Sequence, residues 1–164
     1  MAAEPDPANE LVVATFEIHA SDVPAFRARE RFFRIEPVNV VEHPRHPWTA
    51  EQSAWHAGIK VRLMCMRFSS EDELVATNFS SRAEYEAQIR GWYTGAVFRK
   101  DILPCRVYLK HCLTAAERLS DAVYRNFLTT TYLADGKRTL GDYLAEHPTL
   151  LDGVMLGKFD RYQG

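Results

Sequence analysis

The sequence predicts an α+β domain, with extended segments gathered in the first half and helices in the second. Three observations predict it. Runs that are rich in Val, Ile, Phe and Thr, or that alternate in polarity, occupy residues 11–19, 32–42, 58–68 and 74–79. From Pro104 onward apolar residues recur at helical spacing, and Ser120 and Thr139 stand where helix caps are needed. No repeat or low-complexity linker separates the halves, so strands followed by helices describe one α+β pattern. A chain of 164 residues suits a single domain, which at that length buries roughly 70% of its unfolded surface.

Each element has a local reason. Residues 1–10, MAAEPDPANE, are acidic and broken by proline, which predicts a disordered tail. Leu11 to His19 carries apolar residues on both faces at first, as a buried strand does. Ser21 can cap a short helix that tolerates Pro24 in its first turn and presents Val23, Phe26 and Ala28 as a narrow apolar face. Phe32 to Glu42 reads as a second strand, with Pro37 marking an edge or a bulge. His43 to Trp48, HPRHPW, reads as a loop because each proline disfavours helix at the residue before it. In 58–68, Ile59, Val61, Leu63 and Cys65 alternate with Lys60, Arg62, Met64 and Met66, the clearest strand signal of the chain. Leu74 to Phe79 adds a short strand. Ser81 and Glu84 then form a capping-box pair, opening a helix that would bury Tyr85, Ile89 and Trp92. Pro104 opens a helix carrying Tyr108, Leu109, Cys112, Leu113 and Ala116 on its repeat. Ser120 caps the next helix, Ala134-Asp135-Gly136 makes a turn, and a last helix capped by Thr139 and Asp142 must end by Pro148.

Composition narrows the classes of function. Apolar content of 46% and charged content of 26% are ordinary for a globular domain. A net charge of −2 gives no electrostatic reason to expect nucleic acid or an anionic membrane as partner. The three cysteines are an odd number, which favours free thiols in a reducing, cytoplasmic setting. No run approaches the roughly 18 apolar residues of a membrane span.

Two segments carry candidate chemistry. In VPAFRARERFFRIEPVNVV, residues 23–41, a helix ending Arg29-Glu30-Arg31 feeds a strand beginning Phe32-Phe33-Arg34-Ile35. A carboxylate at such a junction can point into a pocket lined by the strand, where apolar neighbours would raise its pKa toward a general-base value. A solvated Glu30 flanked by arginines fits the same residues. In the second segment, Pro104-Cys105-Arg106-Val107-Tyr108 begins a helix with the tyrosine one turn in, where it is either a core aromatic or a hydroxyl presented to a site.

Taken together, residues 11–119 resemble the gamma-glutamylcyclotransferase family. The strand Val13 to Ile18, the helix end Phe26 to Glu30 and the strand Phe33 to Val38 are similar to that family's strand, its Leu-Asp-x-x-Glu helix end and its following strand. Pro104 to Tyr108 is similar to its Pro-Ser-x-x-Tyr segment. The departures are Phe26-Arg27 in place of Leu-Asp, Cys105 in place of Ser, and no Tyr-Gly-Ser loop near the start. The resemblance implies a partial small β-barrel or mixed sheet with flanking helices over 11–119, and a helical C-terminal extension over 120–164 packed on it. It implies a γ-glutamyl amine or amino acid as substrate, cyclised to 5-oxoproline in a lyase or acyltransferase reaction. Glu30 would then be the general acid/base and Tyr108 would line the site. No cofactor is called for, since the attacking amine belongs to the substrate. The rival expectation is a catalytically inactive relative that acts as a protein-interaction module, as a homodimer or with another protein.

Other groupings are weaker. His43, His46 and His56 lack the spacing of a metal-ligand set, so no metal is expected. Cys105 and Cys112 share a helix face that His111 does not, which argues against a Cys–His nucleophile.

Overall fold

The computed structural model of the chain describes residues 3–43, 47–59 and 61–155. Among them a 3₁₀ turn, Ala20–Asp22, leads into α1 (Val23–Arg29), followed by β1 (Arg34–Pro37), α2 (Ala50–Gly58) and β2 (Leu63–Met66). Then come α3 (Glu71–Asn78) and α4 (Arg82–Tyr85), the latter continued by a π turn at Glu86–Arg90. The described chain closes with α5 (Arg106–Leu119), α6 (Asp121–Thr130) and α7 (Leu140–Glu146). The class is α+β, as the sequence predicts. The sheet, however, has two antiparallel strands among the described residues and does not close into a barrel. The backbone groups into two compact units, one of Met1–Asp6 with Ala14–Phe98 and the other of Pro7–Val13 with Arg99–Gly164.

In the first unit β1 and β2 pair with Arg34 opposite Met66 and Pro37 opposite Leu63. Ala3 adds one parallel bridge on the far side of β2, donating its N–H to Cys65 O and accepting from Arg67 N. The strand expected over 58–68 is thus confined to 63–66, because its first residue, Gly58, ends α2. Its buried face is also the opposite one. Met66 and Phe68 are buried, while Val61 and Leu63 are exposed. From Leu63 to Met66 both parities are apolar, so alternation there cannot choose between them, and Phe68 on one parity against Arg67 on the other decides. The expected strand over 11–19 does not form. Phe16 is 75% exposed, and Val12 N–H bonds to Asn126 Oδ1 instead of to a ladder. An extended run becomes a strand only when another strand lies beside it. Residues 44–46 of the expected HPRHPW loop lie outside the described residues, as does Lys60.

The expected strand at 74–79 is helix α3. Ser70 Oγ accepts the Glu73 N–H, and the Glu73 carboxylate reaches back to Ser69 N. The same device recurs at α4, where Ser81 Oγ accepts Glu84 N–H and Glu84 reaches Ser80 N and Oγ. Two Ser-Ser-x-x-Glu caps therefore override the β-prone Leu74-Val75 and start both helices. Leu74, Val75, Phe79, Tyr85 and Ile89 close over Phe68 to make the first core. Trp92, expected on the same face, is 72% exposed. The wide π turn rotates it away and its indole N–H bonds to Gln88 O.

These caps set an acid limit. Hydrogen bonds from Ser69 hold the Glu73 carboxyl below its usual value of 4.5, and those from Ser80 do the same for Glu84. Groups with depressed folded-state pKa contribute stability that is present above their unfolded value and lost as pH falls through the folded one. Stability is therefore expected to fall as the pH drops below the usual carboxylate value of 4.5 and through the lower folded-state values of these two groups. The dependence should be shallower in Glu73→Gln/Glu84→Gln than in the parent, as measured by urea midpoints. An unchanged slope would contradict it.

In the second unit Leu109, Leu113, Leu133, Leu140 and Tyr143 form a separate core, with Phe127, Leu128 and Leu144 packed against it. The helices follow the sequence closely. Ser120 Oγ caps α6 through Val123 N, and Thr139 Oγ1 caps α7 through Asp142 N. Between them Asp135 Oδ1 accepts Lys137 N and Arg138 N, and Gly136 supplies the left-handed residue at φ 68°. α5 begins at Arg106, two residues after Pro104. No helix among the described residues is long and apolar enough to cross a membrane.

Candidate functional site

Glu30 sits where helix α1 gives way to β1. It is the C-terminal cap residue, its N–H donating to Phe26 O at 2.9 Å and its carbonyl accepting Phe33 N at 2.8 Å. These two bonds turn the chain from helix toward strand. The Glu30 side chain is 25% exposed and its Oε1 takes the Arg29 Nε–H at 2.9 Å. Arg31 and Arg34, the other guanidiniums near it in sequence, are held elsewhere. Arg31 bonds to Gln88 Oε1 and stacks over Phe79, and Arg34 bridges Glu36 and Glu73. The Glu30 charge is felt at Cys65. Burial pushes that thiol up first, the carboxylate adds to it, and Arg29 pulls the other way.

A cleft of about 400 Å³ opens beside this junction. Its walls are Arg27 from α1, residues 33–36 along β1, and Thr77 with Asn78 at the end of α3. Glu30 is not among them. Asn78 ties this side of the unit together: its Nδ2 donates to Arg31 O at 2.6 Å and lies 3.5 Å from Phe33 O, while its own carbonyl accepts from Arg31. Thr77 and Asn78 escape the sequence reading, because 74–79 is expected there as a strand, and Arg27 enters it only as a departure from the family's Leu-Asp. The Ser69-Ser70-x-x-Glu73 cap was the signal that could have placed Asn78 at a helix end.

Tyr108 belongs to the second unit, in the first turn of α5, and is 54% exposed. Its phenol hydrogen-bonds the Cys112 thiol one turn later. Cys112 first, and burial second, push the phenol pKa up, and burial raises the Cys112 thiol as well. Cys105 is exposed at the N-cap of the same helix. Glu30 and Tyr108 thus each have their own surroundings in different units.

Among the described residues no group of three or more His, Cys, Asp or Glu side chains could hold a metal ion, and His46 lies outside them. His56 has a different occupation. It is buried, stacked on Trp48 with ring centroids 3.7 Å apart and met edge-on by Trp55 at 4.6 Å. Arg62 Nη2 donates to its carbonyl at 2.7 Å. Its helix, α2, is another element the sequence reading misses, although Thr49 and Gln52 form a complete capping box.

No family model, curated protein or solved structure matches the chain.

Proposed function

We propose that the chain is a gamma-glutamylcyclotransferase-like protein that works by binding rather than by turnover. The observation that carries this reading is the Arg29–Glu30 pair outside the neighbouring cleft. A general base must reach the proton it removes, directly or through one water, with its carboxylate free to accept it. Here the carboxylate already accepts from a guanidinium and does not line the cavity beside it. The two-stranded sheet also lacks the wall of donors that a closed barrel would place around a substrate, and each missing donor of that kind typically costs about 10²–10³ in rate.

A second reading keeps the enzyme. Glu30 is three-quarters covered at the helix-to-strand junction, where the family resemblance places the acid/base, and a pair as exposed as this one, with Arg29 at 62%, is worth at most about 1 kcal/mol. A substrate ammonium could replace Arg29. Glu30 would then take a proton from the α-amine, whose nitrogen attacks the γ-carbonyl. As the ring closes, the amide C–N bond breaks and the proton passes to the departing amine.

Release of 5-oxoproline from a panel of γ-glutamyl dipeptides separates the two. The expected result is no release from either the parent or Glu30→Gln, with both folded by circular dichroism. Release by the parent that disappears in Glu30→Gln would replace the binding reading with the cyclotransferase one.

A further inference from the structure

The outer edge of β2 holds a short segment of the chain itself in the manner of a bound peptide. Val38 N–H bonds to Arg62 O, which sets the alternation of the ladder: residues 62, 64 and 66 turn their main-chain groups toward β1. Cys65 O and Arg67 N face the other way, and both are taken by Ala3. Its N–H lies 3.1 Å from Cys65 O, and its carbonyl accepts the Arg67 N–H at 2.8 Å. Ala3 thereby pairs with Met66 in parallel. Residues 3 and 4, expected in a disordered tail, are held as an added strand would be.

The side chains of this segment alternate. Ala3 is half-buried beside the buried Met66, and Glu4 turns the other way, where its Oε1 accepts from Arg67 Nη1 at 2.7 Å. The Arg67 guanidinium is also set over the Phe98 ring, 5.9 Å from its centroid. Without Glu4 this edge carries one positive charge. No other carboxylate among the described residues bonds to Arg67, and Glu30, whose charge is felt at Cys65, is matched by Arg29.

The resident segment is a weak occupant. A parallel ladder would continue through an N–H of residue 5, and Pro5 has none. The answering donor on the β2 side, Ser69 N–H, is already taken by Glu73. The ion pair is 60% exposed at Glu4 and 31% at Arg67, where such pairs contribute little. A contact resting on one residue pair opens locally while the core stays folded.

We infer that the outer edge of β2 is a strand-addition site for an extended acidic peptide, and that Ala3-Glu4 is its resident stand-in. The incoming segment runs parallel to β2, bonds through its main chain to Cys65 O and Arg67 N, and sets the carboxylate of its next residue on Arg67. A residue with an N–H in the place of Pro5 makes a bond the resident cannot make, which favours exchange. The inference rests on the binding reading above and names its site and ligand class.

The probe is acetyl-Ala-Ala-Glu-Val-amide, which keeps the order of residues 2–4 and supplies the N–H that Pro5 lacks. It is titrated into the ¹⁵N-labelled full chain. The expected result is saturable movement of the Arg67 and Ala3 amide signals, with the rest of the spectrum unchanged. Affinity should weaken about fivefold for the peptide with glutamine in place of glutamate, and about as much for the one with proline in place of valine. Glu4→Gln weakens the resident alone, so it should tighten binding of the probe by up to about fivefold. In Arg67→Gln the preference for glutamate over glutamine should vanish. The inference is overturned by the absence of saturable shifts, by shifts that map away from residues 65–67, or by equal affinity for the glutamine peptide. It is equally overturned if Glu4→Gln leaves the affinity unchanged or lowers it, or if Arg67→Gln keeps the preference. Movement of the Ala3 and Arg67 signals with protein concentration alone would assign the edge to a second copy of the chain and also overturn it. The 5-oxoproline assay is read separately: no release together with no shifts sinks the site and leaves the binding reading, whereas release lost in Glu30→Gln sinks the binding reading whatever the peptide does.

Discussion

Phe68→Ala is expected to lower the unfolding free energy by about 3–5 kcal/mol. Phe68 is fully buried, and so are Leu74 and Tyr85 around it, with Val75, Phe79 and Ile89 completing the cluster. The ring, two residues past the end of β2, is the point at which α3, α4 and the π turn meet, so its removal leaves a cavity lined by side chains from those three elements. Each of those side chains is anchored on a capped or hydrogen-bonded backbone, notably through the two Ser-Ser-x-x-Glu devices, which limits how far the walls can collapse. The urea midpoint, at unchanged slope, gives the loss directly. Phe68→Leu, which retains most of the volume, should cost less. A loss in Phe68→Ala below about 1 kcal/mol would mean that the walls close over the gap and that this cluster does not govern stability.

Leu140→Ala is expected to cost about 2–5 kcal/mol for a related reason in a different place. Leu140 opens α7 and is 2% exposed among Leu109, Leu113, Leu133 and Tyr143. Its N–H also donates to Thr131 O at 2.7 Å, so the backbone that carries it is fixed from both sides. The substitution removes the apolar contact while leaving the Thr139 cap and that hydrogen bond intact. The lost stability therefore reports packing alone. It is measured by the same denaturation, with the methyl signals of Leu109 and Leu113 as the local readout. Unshifted methyl signals with an unchanged midpoint would show that Leu140 is not part of this core.

The second half of the chain was the more legible half, and the reason is physical. Caps such as Ser120 and Thr139 act within three residues, and the repeat of Leu109, Leu113 and Ala116 is local to one helix, so sequence carries nearly the whole instruction. Strands are different. Leu11 to His19 has the composition of a strand, yet no strand lies beside it. Leu74-Val75 has β-prone side chains, yet Ser70 and Glu73 decide the backbone first. Methionines at 64 and 66 on the face expected to be outward hid which side of β2 is buried. At the candidate site, the helix-to-strand turn at Glu30 was visible in sequence, and so was the presence of competing arginines. Which arginine holds the carboxylate was not visible, because Arg31 and Arg34 find Gln88 and Glu73, far away along the chain. The cleft was hidden for the same reason, since Asn78 reaches it across 45 residues from Phe33.

The π turn at Glu86–Arg90 amounts to one residue more than an α-helical count would hold. In an uninterrupted helix, Tyr85, Ile89 and Trp92 would fall on one stripe, and the largest side chain of the segment would be inside. The extra residue works like a phase shift in a repeating signal: everything before it keeps the inward beat, and everything after it is thrown about a quarter-turn out of step. Winding the same residues as an uninterrupted α-helix would restore the beat and drive an indole against a core already filled by Tyr85 and Phe68. The odd residue is thus a spacer that keeps Trp92 out of a space too small for it, and it leaves the indole at the surface, anchored to Gln88 O.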